Sequence, residues 1–435
     1  MQQPEISTNG HSWKHACGLQ LCSVDEEIWS LLEAQRVQNE RTINLVASES
    51  YCPRATLEAE ASPLIDKNAS GYPPRRAFGG SEIMDAVELT AISRARRLFK
   101  APYANVQALS STIANVAILR ALLSSGDKIL AFDPNSGGHG SHGSIRHMSG
   151  QDYEAHFFGV HPRTGLIDYD AVRRLAHSIR PRMIIAGSSA YPRSIDYRQL
   201  ATVANEVEAL LFADIAHVAG FVASGLMDNP MQYCDVVTTS THKTLCGPRT
   251  GGLILARLEF GSAIDSALYP GLQAAPGGHI IAARAVLFEM VSHAPFKELM
   301  LHVLQLAKHL ASALESHGVH LYTGGTDTHM VVAQLGDTPW TSGADINTAL
   351  LAHGIVANTM SLPNTSKTKR SQLALRLGTT AMAIRGMSTS AIESVAQVIA
   401  DLLSRGPGAA IDQNAARDIR SLADKYPIPK QWEKR

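Results

Sequence analysis

The chain has 435 residues, and 39 Lys+Arg stand against 39 Asp+Glu, a formal net charge of zero. That balance offers no basic stripe for nucleic acid and no patch for an anionic membrane surface. No run of about 18 or more apolar residues exists to span a bilayer. The length suits two domains, or one large domain with an appendage. Five cysteines, Cys17, Cys22, Cys52, Cys234 and Cys246, are scattered without a CxxC pair or a metal-ligand spacing. They read as reduced thiols. Met1 to His15 lack an apolar signal core, and together these features point to the cytoplasm.

In chain order, residues 1–22 read as a mobile tail. Ser23-Val24-Asp25-Glu26 fits a capping box ahead of a helix with Ile28, Leu31 and Leu32 on one face. A short apolar run covers 45–48. Residues 66–80, rich in Gly, Pro and Ser, read as a loop. The pattern over 82–98 is helical. Ser110-Ser111-Thr112 opens a second helix over 113–123. Free amides and hydroxyls at a helix start can hold an anion, although a lone Ser/Thr cluster reads first as an N-cap.

Residues 128–132 form a strand, and Gly137-Gly138-His139 ends the loop after it. His139 and His142 have His-x-x-His spacing, but no acid or thiol stands near them in sequence, which argues against a metal. Strands follow at 183–186 and 210–213. Asp214 ends the second of these, where it can cap a helix or face a ligand. A β-branched run from Val236 reads as a buried strand and gives way to Thr241-His242-Lys243-Thr244-Leu245-Cys246-Gly247-Pro248-Arg249. Residues 251–257 return as a strand. From about 293 the pattern becomes α+β: a helix at 296–314, a strand at 330–335, a helix at 344–352, a strand at 373–377, and a last long helix at 390–403.

Lys243 is the centre of this organisation. Open α/β sheets bind ligands beyond the carboxyl ends of their strands. A lysine there, in a His/Thr-rich setting, suggests a Schiff base with an aldehyde cofactor. Alone, a strand-end lysine is more often an ordinary surface residue.

The ordered motifs shift that balance. The Lys243 stretch resembles the lysine motif of serine hydroxymethyltransferases. So do Leu45-Val46-Ala47-Ser48-Glu49-Ser50, Ser136-Gly137-Gly138-His139, Asp214-Ile215-Ala216-His217-Val218-Ala219-Gly220 and Leu375-Arg376-Leu377-Gly378-Thr379. The likeness runs from about Asp25 to about Pro427. It implies the pyridoxal 5′-phosphate-dependent transferase fold of type I, the aspartate-aminotransferase type. In that fold a large α/β domain with a mainly parallel seven-stranded sheet joins a smaller α+β C-terminal domain. The implied division is an N-terminal tail, helix and arm over 1–50, a cofactor-binding domain over 51–292 and a small domain over 293–435. The implied assembly is a homodimer or homotetramer.

The resemblance also implies roles. Lys243 would carry the cofactor aldehyde, and Asp214 would meet the pyridinium nitrogen. His139 would stack on the ring, and His217 would touch it. Thr241 would join these in the catalytic group, and Ser189 and His242 would line the cofactor. Ser110, Ser111 and Thr112 would cup the phosphate, with a backbone amide at Ala275 from the other subunit. Ser48 and Arg376 would bind the substrate carboxylate, since a planar guanidinium fork suits a bidentate partner. The loop over 66–80 would cross to the neighbouring active site and bring Ser70 and Phe78 to the substrate.

Departures from the family pattern fall on one side of the implied pocket. Asn68 and Ser70 replace a tyrosine and the glutamate that handles a proton beside the one-carbon group. Ala77-Phe78 replaces a tyrosine pair. Pro134 and Gly140 replace two folate-packing leucines, and Met360 replaces a pterin-binding asparagine. In the loop 269–275, Leu272, Ala274 and Ala275 stand at glycine positions, and Ser111 replaces a glycine at the phosphate. A serine hydroxyl cannot do an ionisable carboxylate's work. The sequence therefore points to amino-acid and aldehyde substrates without folate, in an L-threonine transaldolase or aldolase. The alternative is a serine hydroxymethyltransferase with a remodelled folate pocket.

Overall fold

The computed structural model describes residues 17–362 and 373–430. Its centre is a seven-stranded sheet. The strands are β2 (Tyr103–Asn105), β3 (Lys128–Phe132), β4 (Glu154–Phe158), β5 (Met183–Gly187), β6 (Leu210–Asp214), β7 (Val236–Ser240) and β8 (Gly252–Ala256), in the spatial order β2-β8-β7-β6-β5-β3-β4. The pairs β3–β4, β3–β5, β5–β6 and β6–β7 are parallel, and β8 runs antiparallel to both its neighbours. The mainly parallel seven-stranded sheet that the resemblance implies is present.

Successive side chains along these strands enter opposite layers. Leu130, Ile184, Leu211, Val237 and Leu253 join one apolar cluster, while Ile129, Met183, Phe212, Val236 and Ile254 join another. A sheet buried on both faces needs apolar residues at every position, which is why these strands read as continuous apolar or β-branched runs. With both faces covered, the sheet leaves the carboxyl ends of its parallel strands to meet a ligand.

A second, three-stranded antiparallel sheet is formed by β9 (Met330–Gln334), β11 (Asn358–Ser361) and β12 (Leu373–Gly378), with β12 in the middle. The N-terminal strand β1 (Ile43–Asn44) pairs in parallel with β10 (Ile355–Val356). Arg385, almost fully buried, donates to the carbonyls of Thr42 (2.7 Å) and Ala423 (2.7 Å), tying the arm before β1 to the C-terminal helix.

Three expectations change here. The first long helix, α1 (Glu26–Arg41), is capped by Asp25, whose carboxylate accepts from the Ile28 amide at 2.9 Å. The Ser23–Glu26 box does not form, because Leu21–Val24 makes its own helical turn and the Ser23 hydroxyl donates to Gln20 O. That turn also ends the supposed mobile tail early; residues 1–16 lie outside the described part. Finally, the helix Thr389–Arg405 is not the last, since Gln413–Lys425 follows it.

No residue of α1 is buried, and Ile28, Trp29, Leu31 and Leu32 are exposed. Among the described residues, no helix is long and apolar enough to cross a membrane.

Candidate active site

The helix α2 (Ser111–Leu122) crosses the sheet beside the ends of β6 and β7. Its Asn115, fully buried, donates to Asp214 Oδ2 (2.8 Å) and to Ser141 Oγ (2.9 Å), and its carbonyl oxygen accepts from Thr238 Oγ1 (2.6 Å). Asp214 is the last residue of β6. Its Oδ2 also meets His142 Nε2 at 3.1 Å, and its Oδ1 accepts from the Ala216 amide at 3.0 Å. Burial alone would raise this carboxyl's pKa. The hydrogen bond and field of His142, with His139 and Lys243, overcome that and hold it below the usual range. The group is a buried carboxylate.

His139 caps a short turn through Nδ1, which accepts from the Ser141 amide and lies 2.7 Å from Ser141 Oγ. Burial draws its pKa down to about 4, so the ring is neutral. Its ring centroid lies 5.5 Å from that of His142. Ser189 locks the same loop, donating from Oγ to Gly138 O (2.9 Å) and from its amide to Gly137 O (2.8 Å).

Lys243 follows β7 in a tight turn. The Thr241 hydroxyl donates to Pro248 O (3.0 Å), the Gly247 amide to Thr241 O (2.7 Å), and the Cys246 amide to Lys243 O (3.0 Å). Thr241, expected in the catalytic group, thus spends its proton on bracing the turn. Cys246 closes that turn at φ 61°, a left-handed conformation costly for a non-glycine. Burial draws the Lys243 amine from its ordinary 10.5 to about 8; Asp214 opposes the shift, while Arg376 and Arg249 add to it. The neighbouring His242 is lowered to about 4, again chiefly by burial. Its carbonyl accepts from Ser50 Oγ at 2.8 Å, fastening the N-terminal arm to the lysine turn.

Arg376, on β12, donates from Nε to Asn358 Oδ1 (3.1 Å) and from Nη1 to Ser189 O. Its Nη2 has no partner among the described residues. Ser48 approaches from the arm: the Gly378 amide donates to Leu45 O (2.7 Å), and Ala47 presses so close that a Cβ on Gly378 would lie 2.4 Å from its Cα. Ser48 is half-buried.

Ser110 is a plain N-cap of α2, accepting from the Ile113 amide at 3.1 Å. Ser111 and Thr112 sit in the first turn. Ser111 lies one turn before Asn115, on the same helix face, so that first turn opens beside the Asp214 carboxylate.

Ser70, Phe78 and Ala275 stand apart from this cluster within one chain. The Ser70 hydroxyl donates to Asn68 Oδ1 (3.0 Å), and Phe78 is exposed. The loops that carry them pack on each other: the Tyr72 and Tyr269 rings meet edge-on at 6.2 Å, and Tyr72 Oη donates to Asp265 O. Four-way clamping of Arg76 by Asp85, Glu88 and the carbonyls of Ala69 and Gly71 stiffens the first loop.

Sequence reasoning missed His142 and Asn115. The His-x-x-His spacing was visible, but the acid it needed arrives from β6. His139, His142 and Asp214 place ligand-capable atoms within 4.8 Å of one another, so the absence of a nearby acid in sequence does not carry into space. Asn115 was hidden in an apolar helix, where a lone amide is its only signal.

The donor set fits pyridoxal 5′-phosphate. It offers an amine of depressed pKa, a buried carboxylate for a ring nitrogen, neutral imidazoles, and a helix start for a phosphate. The serine hydroxymethyltransferase family model matches residues 21–399. The chain is 41% identical to serine hydroxymethyltransferase 1 of Pseudomonas aeruginosa over 411 residues, covering 94% of this chain and 98% of that protein. It is 40% identical to serine hydroxymethyltransferase of Prochlorococcus marinus over 415 residues, covering 95% and 99%. On fold, site and likeness together, the chain belongs to the serine hydroxymethyltransferase family of pyridoxal 5′-phosphate-dependent enzymes that act on amino acids.

Proposed function

We propose that this enzyme makes and breaks the Cα–Cβ bond of β-hydroxy-α-amino acids without folate. It would use L-threonine or glycine as the amino-acid partner and an aldehyde larger than formaldehyde as the other. The observation that carries this reading is Ser70. Its hydroxyl is held by Asn68 within the loop, and a serine hydroxyl cannot do the work of the carboxylate that the family pattern has at this position. Among the groups for amino acid and cofactor, in contrast, Asp214, His139 and Arg376 are each held by hydrogen bonds.

In this reading Lys243 holds the cofactor aldehyde. Asp214 keeps a proton on the ring nitrogen, with Asn115 and His142 holding the carboxylate in place. His139 and His217 would hold the cofactor ring. Ser111 and Thr112 take the phosphate at the start of α2. Ser48 and Arg376 would grip the substrate carboxylate and so orient the bonds at Cα toward the cofactor. The bound cofactor supplies an electron-accepting ring for the bond that breaks. Loss of the β-hydroxyl proton, balanced by a proton delivered to Cα, would free acetaldehyde from threonine and leave glycine, and addition of a second aldehyde to glycine would reverse the step. The exposed apolar face of α1 and the paired loops bearing Ser70 and Ala275 are suited to a second copy of the chain, in a homodimer or homotetramer.

Arg376→Ala is expected to weaken amino-acid binding by about 2–5 kcal/mol, the scale of a buried charge pair losing one partner, while cofactor content stays unchanged. An unaltered KM for the amino acid would count against the carboxylate grip. The names of the two relatives favour a second reading, interconversion of serine and glycine with tetrahydrofolate. The readings part on product analysis. L-threonine with an added aldehyde and no folate should yield acetaldehyde and a new β-hydroxy-α-amino acid, whereas the second reading gives neither at a useful rate.

A further inference from the structure

His329 lies just before β9 and is fully buried. Its Nε2 meets the Ala47 carbonyl at 2.9 Å and His217 Nδ1 at 3.4 Å. The His217 and His329 rings lie with centroids 5.5 Å apart and planes 17° from parallel, and the Phe221 ring lies 6.2 Å from that of His329. A carbonyl oxygen only accepts, so the Nε2 of His329 carries the proton. Its Nδ1 is buried without a partner. An unprotonated nitrogen is the cheaper form to leave unmet there, since an imidazolium would bury a charge. Both rings are held neutral by burial, His329 at about 3 and His217 well below its ordinary value.

The same residue reaches the carboxylate end. The His329 carbonyl accepts from the Thr379 amide (3.0 Å) and more weakly from Thr379 Oγ1 (3.3 Å). Thr379 follows the strand that carries Arg376, and Val332, three residues after His329, is register partner to Arg376. Three pieces therefore meet on one residue: the imidazole holds the arm leading into Ser48 and the ring of His217, and the backbone carbonyl holds the strand that carries Arg376. His217 is in turn tied to the lysine turn, because Thr244 Oγ1 donates to its carbonyl at 3.2 Å.

We propose that His329 is a positioning residue. Its Nε2–H fixes the Ala47 carbonyl, and with it Ser48. Its face and the same N–H hold His217 as the tautomer that accepts at Nδ1 and carries its proton on Nε2, the nitrogen with no protein partner among the described residues. The distance between the carboxylate-binding end and the cofactor end is thereby set by one residue. The inference rests on the reading of Ser48 and His217 as substrate and cofactor contacts.

Two substitutions in the cofactor-loaded enzyme separate positioning from packing. His329→Phe keeps a flat ring and loses the donor. His329→Gln loses the ring and keeps an N–H within reach of Ala47. Glycine binding followed by the visible spectrum should weaken about tenfold in the Phe variant, the scale of one hydrogen bond, with cofactor content retained. The Gln variant should recover glycine affinity to within about threefold of the parent while its absorbance maximum moves, because His217 has lost its neighbouring ring. Parental glycine affinity in the Phe variant overturns the inference, and so does a loss in the Gln variant as large as in the Phe variant. Should the Phe variant fail to fold, the Gln variant decides alone: weakened glycine binding or an unmoved band overturns the proposal. A parent enzyme with no cofactor band would sink the underlying reading and this inference together. A normal parent with unaffected variants sinks only the inference.

Discussion

Lys243→Ala is expected to remove the visible absorbance of the cofactor-loaded protein and to lower amino-acid turnover by about 10³-fold or more, the upper range for a single group that moves protons. Here the same amine would also carry the covalent link. The reason lies in the amine's surroundings. An ordinary lysine near pH 7 is almost wholly protonated and therefore a poor nucleophile. Burial brings Lys243 down to about 8, and the positive charges of Arg376 and Arg249 assist while Asp214 resists. The neutral, reactive form is therefore substantial at mildly alkaline pH. Cofactor loading of the apoprotein should rise with pH around a midpoint near 8. The turn should survive the substitution, because it is braced by Thr241, Cys246 and Gly247 rather than by the lysine side chain. A visible band in the Ala variant that borohydride bleaches while leaving the cofactor covalently attached would show that another group carries the link.

Asp214→Asn is expected to cost about 10²–10³-fold in turnover, the scale seen when one preorganised electrostatic group is removed. The substitution is nearly isosteric, so packing at the end of β6 should hold. What changes is charge and donor balance. Asn115 Nδ2 and His142 Nε2 both converge on Oδ2, and an amide can satisfy them only through its carbonyl oxygen. That orientation turns its NH₂ toward the Ala216 amide, where Oδ1 now accepts, leaving two donors facing each other. A neutral amide also cannot keep a proton on a pyridine nitrogen. Affinity for pyridoxal phosphate, measured by titrating the apoprotein, should fall along with turnover. Activity within about threefold of the parent would place the ring nitrogen elsewhere.

The parts of the site that were legible in the sequence are those fixed by the strand ends. Asp214 and Lys243 each close a run of β-branched or apolar residues, so their positions at the carboxyl edge follow from the pattern alone. Residues that reach the site through tertiary packing left no such mark. His142 gains its acid from a strand about 70 residues away, Asn115 projects from an apolar helix, and His329 stands before a strand of the second sheet with no local feature to distinguish it. The capping box failed for a different reason: Ser23 and Asp25 compete to start helices two residues apart, and the short Leu21–Val24 turn consumes the first. The helix Gln413–Lys425 is mostly polar and buries only Ile419 and Ala423. Ser70, Phe78 and Ala275 were placed by family pattern, and the loops that carry them pack on each other.

Folate separates the two readings most directly. Met360 packs its thioether against an apolar cluster with Val332 and Ala374, and a thioether cannot make an amide's paired hydrogen bonds to a pterin edge. Each polar group left unmet costs about 1–3 kcal/mol. Gly140 faces open space where a leucine would have packed, forfeiting about 1.5–3 kcal/mol of burial. Tetrahydrofolate should therefore be titrated into the cofactor-loaded enzyme while serine and L-threonine cleavage are followed in parallel. The account predicts no saturable folate binding at physiological concentration, no folate-stimulated serine cleavage, and acetaldehyde from L-threonine that is released faster when an acceptor aldehyde is present. Micromolar folate binding with folate-dependent turnover of serine would contradict it.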